Sequence, residues 1–322
     1  MEHDTLTFNK KSLTAKWRKL STKGVPFYFA MAFLPLLQFL VFYIIVNFNS
    51  VLLAFRSLYI TQEGGLVEEW VGWQNFKTIF SLFAQEKTML ISLANSAIFL
   101  ALDLFIIIPL GVMFAYYIYL KRPFAELFKT LLFMPSVICS MVFVIFFKDF
   151  VEAVVPALAE KWFNEILILG VFNDPSRGLM ALMIFYVFIS FSGQILLYVN
   201  AMSAISKPSV EAAKIDGASE FCIFLHVALP SCWGTIVSLA VICIAAVVTN
   251  QAYLFSFYGN SAPGEIFTIG YYQWTLLTKG KGSENMMNYP IASAFGLLST
   301  VVATPLTFGA KWLLHKLGPK EE

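Results

Sequence analysis

Charge is scarce in this chain. Only 13% of its 322 residues are Asp, Glu, Lys or Arg, against about 25% in a soluble domain. That shortage excludes an ordinary water-facing fold of this length. The net charge of +2 is too small to suggest a nucleic-acid partner, so the placement of charges carries more information than their sum. Histidine is rarer still, with three: His3 and His315 near the ends, and His226 in a polar stretch. Neither a nucleophile–base pair nor a metal cluster can be assembled from them, which argues against an intramembrane enzyme. The four cysteines, Cys139, Cys222, Cys232 and Cys243, form no C-x-x-C pair and read as small apolar residues in or near helices, so no metal site is expected. No G-x-x-x-x-G-K-[ST] stretch is present, so this chain carries no phosphate loop of that kind. There is no internal repeat and no low-complexity linker. Inverted repeats with interrupted helices, the mark of many secondary transporters, are missing too.

What the chain has is apolar surface. Hydrophobic residues make up 58% of it, and Phe alone occurs 33 times. A membrane-spanning helix needs about 20 apolar residues to cross roughly 30 Å of hydrocarbon. Six segments qualify: 27–55, 90–120, 130–147, 179–202, 234–258 and 290–316. They must be helical, because lipid offers the backbone no partners. Pro35, Pro109, Pro135 and Pro305 interrupt them, and each can kink its helix. The expected fold is an all-α membrane protein of six transmembrane helices. Residues 1–26 form a basic segment, 27–317 the helical body and 318–322 a tail. The polar first 26 residues, followed by a long apolar run, fit an uncleaved first span better than a signal peptide.

Charge gives the orientation. With the N-terminus inside, segments 1–26, 121–129, 203–233 and the tail from 311 hold fourteen Lys and Arg against eight Asp and Glu. The outer segments 56–89, 148–178 and 259–289 hold eight against eleven. The basic excess faces the cytoplasm, as the positive-inside rule requires, and both termini are expected there. The cluster "KKSLTAKWRKL" is read as a topological anchor. Outside, Trp70, Trp73 and Phe76 in "EEWVGWQNFKTIF" suit a short helix at the lipid–water boundary.

One cytosolic segment is unusually ordered: "EAAKIDGASEFCIFLHVALP", residues 211–230. Pro208 fits a first helical turn. "SVEAAKI" is a good short helix with Glu211 near its positive end. Asp216-Gly217 breaks it, and Ser219 can cap a second helix, with Phe221, Phe224 and Leu225 as its apolar face. Pro230 ends it. The spacing predicts two short helices meeting at a glycine corner between spans four and five.

This segment resembles the E-A-A…D-G-A…L-P loop of permease subunits from binding-protein-dependent ABC importers. The Asp before Gly is similar to the branch that takes up oligosaccharides and related carbohydrates, the maltose-permease-like branch. "VGWQNFKTIF", "NSAIFLALDLFIIIPLGVMFAYYI", "LLFMPSVICSMVF" and "NYPIASAFGLL" extend the likeness over roughly 70–317. The resemblance implies that loop 206–230 is a coupling helix seated in a cleft of a cytosolic ATPase. Glu211, Ala212, Ala213, Asp216 and Gly217 would be the docking positions. Glu211 would pair with a basic group, the two alanines would allow close approach, and Gly217 would set the corner. It also implies two ATPase subunits carrying ATP and Mg, a second permease subunit making a heterodimer, an extracytoplasmic solute-binding protein and a bacterial cytoplasmic-membrane location. No cofactor is expected on this chain itself, nor an enzymatic activity.

Spans four and five flank the loop. Tyr186, Ser190 and Gln194 recur at i, i+4 and i+8 and share a helical face, with Gly193 beside them. Thr249, Asn250 and Gln251 are neutral hydrogen-bonding groups in an apolar run. Such residues suit either a sugar pathway or polar contacts between helices. Asp103 is the one acid deep inside a span. At mid-membrane it must face protein or water, so it either pairs with a neighbouring helix or lines the pathway. A proton-coupled symporter would also want such a residue. The sugar stays open: an oligosaccharide, a polyuronate or a sugar or polyol phosphate. Few basic residues lie inside the spans, which disfavours a polyanion held by this chain alone.

Overall fold

Long apolar runs leave the backbone no hydrogen-bond partner but itself, and helices dominate the computed structural model accordingly. It describes residues 27–60, 65–163, 170–278 and 284–319. The basic segment 1–26 and the end of the tail lie outside the described residues. Four helices are long and apolar enough to cross a membrane: α1 (Phe27–Leu53), α3 (Lys87–Tyr119), α6 (Pro175–Ser203) and α13 (Tyr289–Leu317). They contain the predicted first, second, fourth and sixth spans to within two residues.

Two further spans are bent, so the count is four, or up to six if each bent pair is one span. The predicted third span, 130–147, is not one straight helix. It straddles the break between α4 (Ala125–Val137) and α5 (Ser140–Phe163), whose axes turn by 102°. Ile138, the residue after α4, is extended. The predicted fifth span, 234–258, is also corrected. Its helix, α9 (Trp233–Ala246), stops early. Residues 247–253 leave the helix, with Ala252 at φ 48° and Tyr253 at φ 61°, before a short α10 (Leu254–Tyr258). Ahead of α9, α8 (Glu220–Ser231) meets it at 66°.

The fold is mostly helical, as expected, with a short hairpin added to the helices. After α1, β1 (Arg56–Ile60) and β2 (Leu66–Trp70) form an antiparallel pair with Arg56 opposite Trp70. Trp70 therefore ends a strand, and Trp73 precedes α2 (Gln74–Gln85), which holds Phe76. The three rings still gather, because Phe55 stacks on Trp70 at 5.7 Å and meets Trp73 and Phe76 at 5.3 Å. Asn75 ties the hairpin to α2 by donating to the carbonyls of Ala54 and Arg56 at 2.9 and 2.7 Å.

Two prolines are absorbed by widened helical turns. π-Helical stretches at Asp103–Ile107 and Phe224–Ala228 each end two residues before a proline, Pro109 and Pro230. The looser winding relieves the clash of the ring with the carbonyl four residues back. Pro230 thus sits inside α8 rather than ending it at that residue. Helices α3 and α6 form the centre of the core, with Phe99 edge-on to Tyr186 at 5.0 Å and Phe114 edge-on to Phe191 at 5.5 Å. In α13, Leu314 accepts a hydrogen bond from the Trp233 indole of α9 at 3.1 Å. The apolar stretch of α1 is not buried against the other described residues.

Candidate pathway cavity and elbow

The break after α9 is built by hydrogen bonds from three directions. Asn250 donates from Nδ2 to the Tyr186 hydroxyl on α6 at 2.7 Å, and that hydroxyl donates to Asp103 Oδ2 on α3 at 2.8 Å. Asn250 Oδ1 accepts from the Ala252 backbone at 2.8 Å. Its carbonyl accepts from Thr268 Oγ1 at 2.9 Å. The segment bearing Thr268 is anchored in turn by Asn95, which donates to the carbonyls of Glu265 and Phe267, and by Ser96, whose hydroxyl accepts from the Ile269 amide. Gly270, at the start of α11 (Ile269–Thr278), lets this segment close in. A Cβ there would lie 2.4 Å from the Thr249 carbonyl oxygen.

Asp103 therefore does have a partner. It is 4% exposed and accepts a hydrogen bond from the Tyr186 hydroxyl. A lone carboxylate in that place would carry the full cost of desolvation.

A cavity of about 380 Å³ opens at the break. Four of the sequence-predicted residues line it: Tyr186, Ser190, Asn250 and Gln251. Three do not. Gln194 accepts from the Tyr198 hydroxyl at 3.2 Å. Thr249 donates to the Ala246 carbonyl at 3.1 Å. Gly193 is exposed on α6 with open space where a Cβ would stand. Ala252, Tyr253, Phe255 and Ser256 complete the lining and were missed in the sequence. They follow directly on the Asn-Gln pair, so the aromatic–polar alternation of "NQAYLFSF" is the signal that marks them. The side chains of Ser190, Gln251 and Ser256 have no hydrogen-bond partner among the described residues. The lining residues include rings and neutral polar groups but no charged side chain.

The second feature is the elbow. Helix α7 (Lys207–Ile215) carries Pro208 in its first turn. It closes with a double hydrogen bond: the Ala218 amide reaches the Ala213 carbonyl at 3.0 Å, and the Gly217 amide reaches Lys214 at 3.1 Å. Gly217 stands at φ 79°. This is the Schellman closure, which favours glycine in that place. Ser219 then caps α8 by accepting from the Cys222 amide at 3.3 Å. The expected apolar face of α8 is corrected in part. Ile223 is buried and Phe224 is partly buried, whereas Phe221 and Leu225 are exposed. The helix meets the bundle through Ile223 because Phe224 packs on Tyr116 of α3 at 4.9 Å.

Of the five elbow residues named from the sequence, Glu211, Ala212, Asp216 and Gly217 are exposed, and Ala213 is half-buried. Ile215 joins them at 86% exposure, a large apolar side chain that the other described residues leave uncovered. An ion pair between Arg122, in the turn after α3, and Glu220 pins the start of α8. The Tyr116 hydroxyl adds a bond to the Glu220 carbonyl at 3.2 Å.

Residues 107–320 match the family described as binding-protein-dependent transport system inner membrane component. The chain belongs to that family. This permease is 26% identical over 302 residues to the arabinooligosaccharides transport system permease protein AraP of Bacillus subtilis, covering 90% of each chain. It also shares its fold with a chain of a bacterial ABC transporter involved in the import of the acidic polysaccharide alginate, with TM-score 0.75 and 19% identity over 94% of this chain and 100% of the other. A second structure, the bacterial alginate transporter in complex with an alginate pentasaccharide-bound periplasmic protein, matches at TM-score 0.73 and 17% identity, over 94% and 99% of the two chains. The family is one of membrane components, and the apolar helices of this permease agree with that.

Proposed function

We propose that this chain is the transmembrane permease subunit of an ABC importer for carbohydrate, forming half of the translocation pathway. An extracytoplasmic binding protein delivers the sugar, and ATP hydrolysed with Mg on two separate ATPase subunits drives the cycle. A second permease subunit supplies the other half. Each bent pair counts as one span, giving six in the bacterial cytoplasmic membrane with both termini inside. Family membership and the carbohydrate-named relative support this reading.

The observation that carries it is the elbow. A hydrogen-bonded glycine corner holds Glu211, Ala212 and Ile215 exposed at the tip of α7, a surface with no partner among the described residues. Docked in an ATPase cleft, that tip transmits closure of the ATPase dimer along α6 and α8 to the break at Asn250. The break is where the polar cavity lies, so motion at one end alters access at the other.

The cavity lining favours a neutral oligosaccharide. Rings at Tyr253 and Phe255 offer sugar faces, and Ser190, Gln251 and Ser256 offer unpaired donors and acceptors. A polyuronate would find no cation there, and Asp103 behind Tyr186 would repel it. The experiment is co-purification of the complex with its binding protein, followed by a screen of neutral and acidic oligosaccharides for stimulated ATPase activity. A neutral sugar is expected to stimulate. Stimulation by polyuronates alone would overturn the substrate class, and transport by the purified chain without ATP would overturn the importer. In the same assay Gln251→Leu is expected to raise the sugar concentration for half-maximal transport about tenfold, the loss of one good hydrogen bond, with the melting temperature unchanged. A fall in melting temperature at unaltered affinity would mark Gln251 as structural.

A further inference from the structure

Helix α7 has two faces, and only one is accounted for by docking. Val210 is 7% exposed and fixes the inner face. Lys207 and Lys214, three residues before it and four after, share that face; Glu211, four after Lys207 and three before Lys214, stands at its edge outside the cavity lining, and Ala212 and Ile215 point away. Behind the helix lies a cavity of about 390 Å³. Lys121 and Lys129, from the α3–α4 corner, face Lys207 and Lys214 across it. Glu126 is the only acid in the lining. None of the four lysines has an ion-pair partner among the described residues. The floor is apolar, with Ile118 of α3 and Val199 of α6 beside Val210, and it sits at the ends of two long spans.

We propose that this cavity binds the headgroup of an anionic phospholipid of the cytosolic leaflet. Four unpaired ammonium groups around one carboxylate leave a net positive charge of three, complementary to a phosphodiester. The apolar floor at the ends of α3 and α6 suits the first carbons of the acyl chains. The bound phosphate bridges α7 to the α3–α4 corner and sets the resting position of the elbow from the side opposite the ATPase. Juxtamembrane lysines attract anionic lipid at this depth. The site rests on the reading of α7 as cytosolic.

The test is native mass spectrometry of the purified complex in detergent, titrated with phosphatidylglycerol or with phosphatidylcholine of the same chains. Phosphatidylglycerol is expected to bind at least tenfold more tightly. Each lysine near the surface contributes roughly fivefold, so K121Q/K129Q/K214Q is expected to weaken its binding on the order of 100-fold. E126Q is expected to tighten it about fivefold. E126Q removes only an exposed carboxylate, so it and the headgroup preference decide the matter even where the triple variant fails to fold. Equal binding of the two lipids, unchanged binding in E126Q, or undiminished binding in a folded triple variant overturns the proposal. So does full displacement by excess inorganic phosphate, which would make this a soluble-anion site. The readout needs no ATPase activity, so a failed elbow and a failed lipid site give different results.

Discussion

Gly217→Pro is expected to abolish coupled transport, by at least tenfold, while the complex still inserts and assembles. Gly217 stands at φ 79°, and proline is locked near −65°. The substitution also removes the amide that donates to Lys214. The corner must therefore reopen, and α7 can no longer present Glu211, Ala212 and Ile215 together. Gly217→Ala separates backbone from bulk. There is open space where its Cβ would stand, so its penalty is confined to the left-handed conformation, about 1–2 kcal/mol. Transport by the Ala variant should fall only modestly. The measurement is sugar uptake beside basal ATPase activity in reconstituted vesicles. Basal hydrolysis should persist in both variants. Normal uptake by Gly217→Pro would show that the corner transmits nothing.

Tyr186→Phe is expected to cost about 2–5 kcal/mol of stability and most of the transport activity. One hydroxyl serves both Asp103 and Asn250. Its loss leaves a buried carboxylate unpaired and frees the amide that holds the break after α9, and orphaned buried groups are the expensive ones. Thermal unfolding of the solubilised complex reads the stability. Asp103→Asn is the informative contrast. It keeps an acceptor for the Tyr186 hydroxyl, so it should retain near-normal stability and transport, with an unaltered pH profile. A stable Asp103→Asn that is inactive, or that transports with the pH dependence lost, would instead mark Asp103 as a proton relay and favour an ion-coupled transporter.

The elbow was legible in the sequence because its chemistry is local. Pro208, Gly217 and Ser219 each have one structural use at their positions, and six consecutive residues decide the closure. The four long spans were legible for a similar reason, since apolar length alone defines them. Direction was not. Apolar residues run across "FMPSVICSMVF" and resume after the Thr-Asn-Gln triplet of "VVTNQAYLF", so hydropathy does not mark the 102° turn at Ile138–Cys139 and does not say that the helix ends at residue 246. The exit from the helix is held by distant partners: Thr268 on the Asn250 carbonyl, and Gly270 against Thr249. The hairpin is a different case. "RSLYI" and "LVEEW" are short runs either side of a Gly-Gly pair, and five residues each carry far less periodic signal than the long apolar runs beside them. In the cavity, Tyr186, Ser190, Asn250 and Gln251 converge because the broken helix folds back on α6. The i, i+4, i+8 spacing extended that face to Gln194, which Tyr198 engages instead.

The side of the membrane on which the elbow stands is the most direct test. Cys222 lies in α8, three residues past the Ser219 cap, and is exposed. Cys139, the other exposed cysteine among the described residues, is removed as Cys139→Ser. A membrane-impermeant maleimide is then applied to intact cells and to inside-out vesicles stripped of ATPase subunits. Labelling of Cys222 in the inside-out vesicles alone is the expected result. Labelling from the outside of intact cells would put the elbow beyond the reach of any cytosolic ATPase and contradict the importer mechanism at its root.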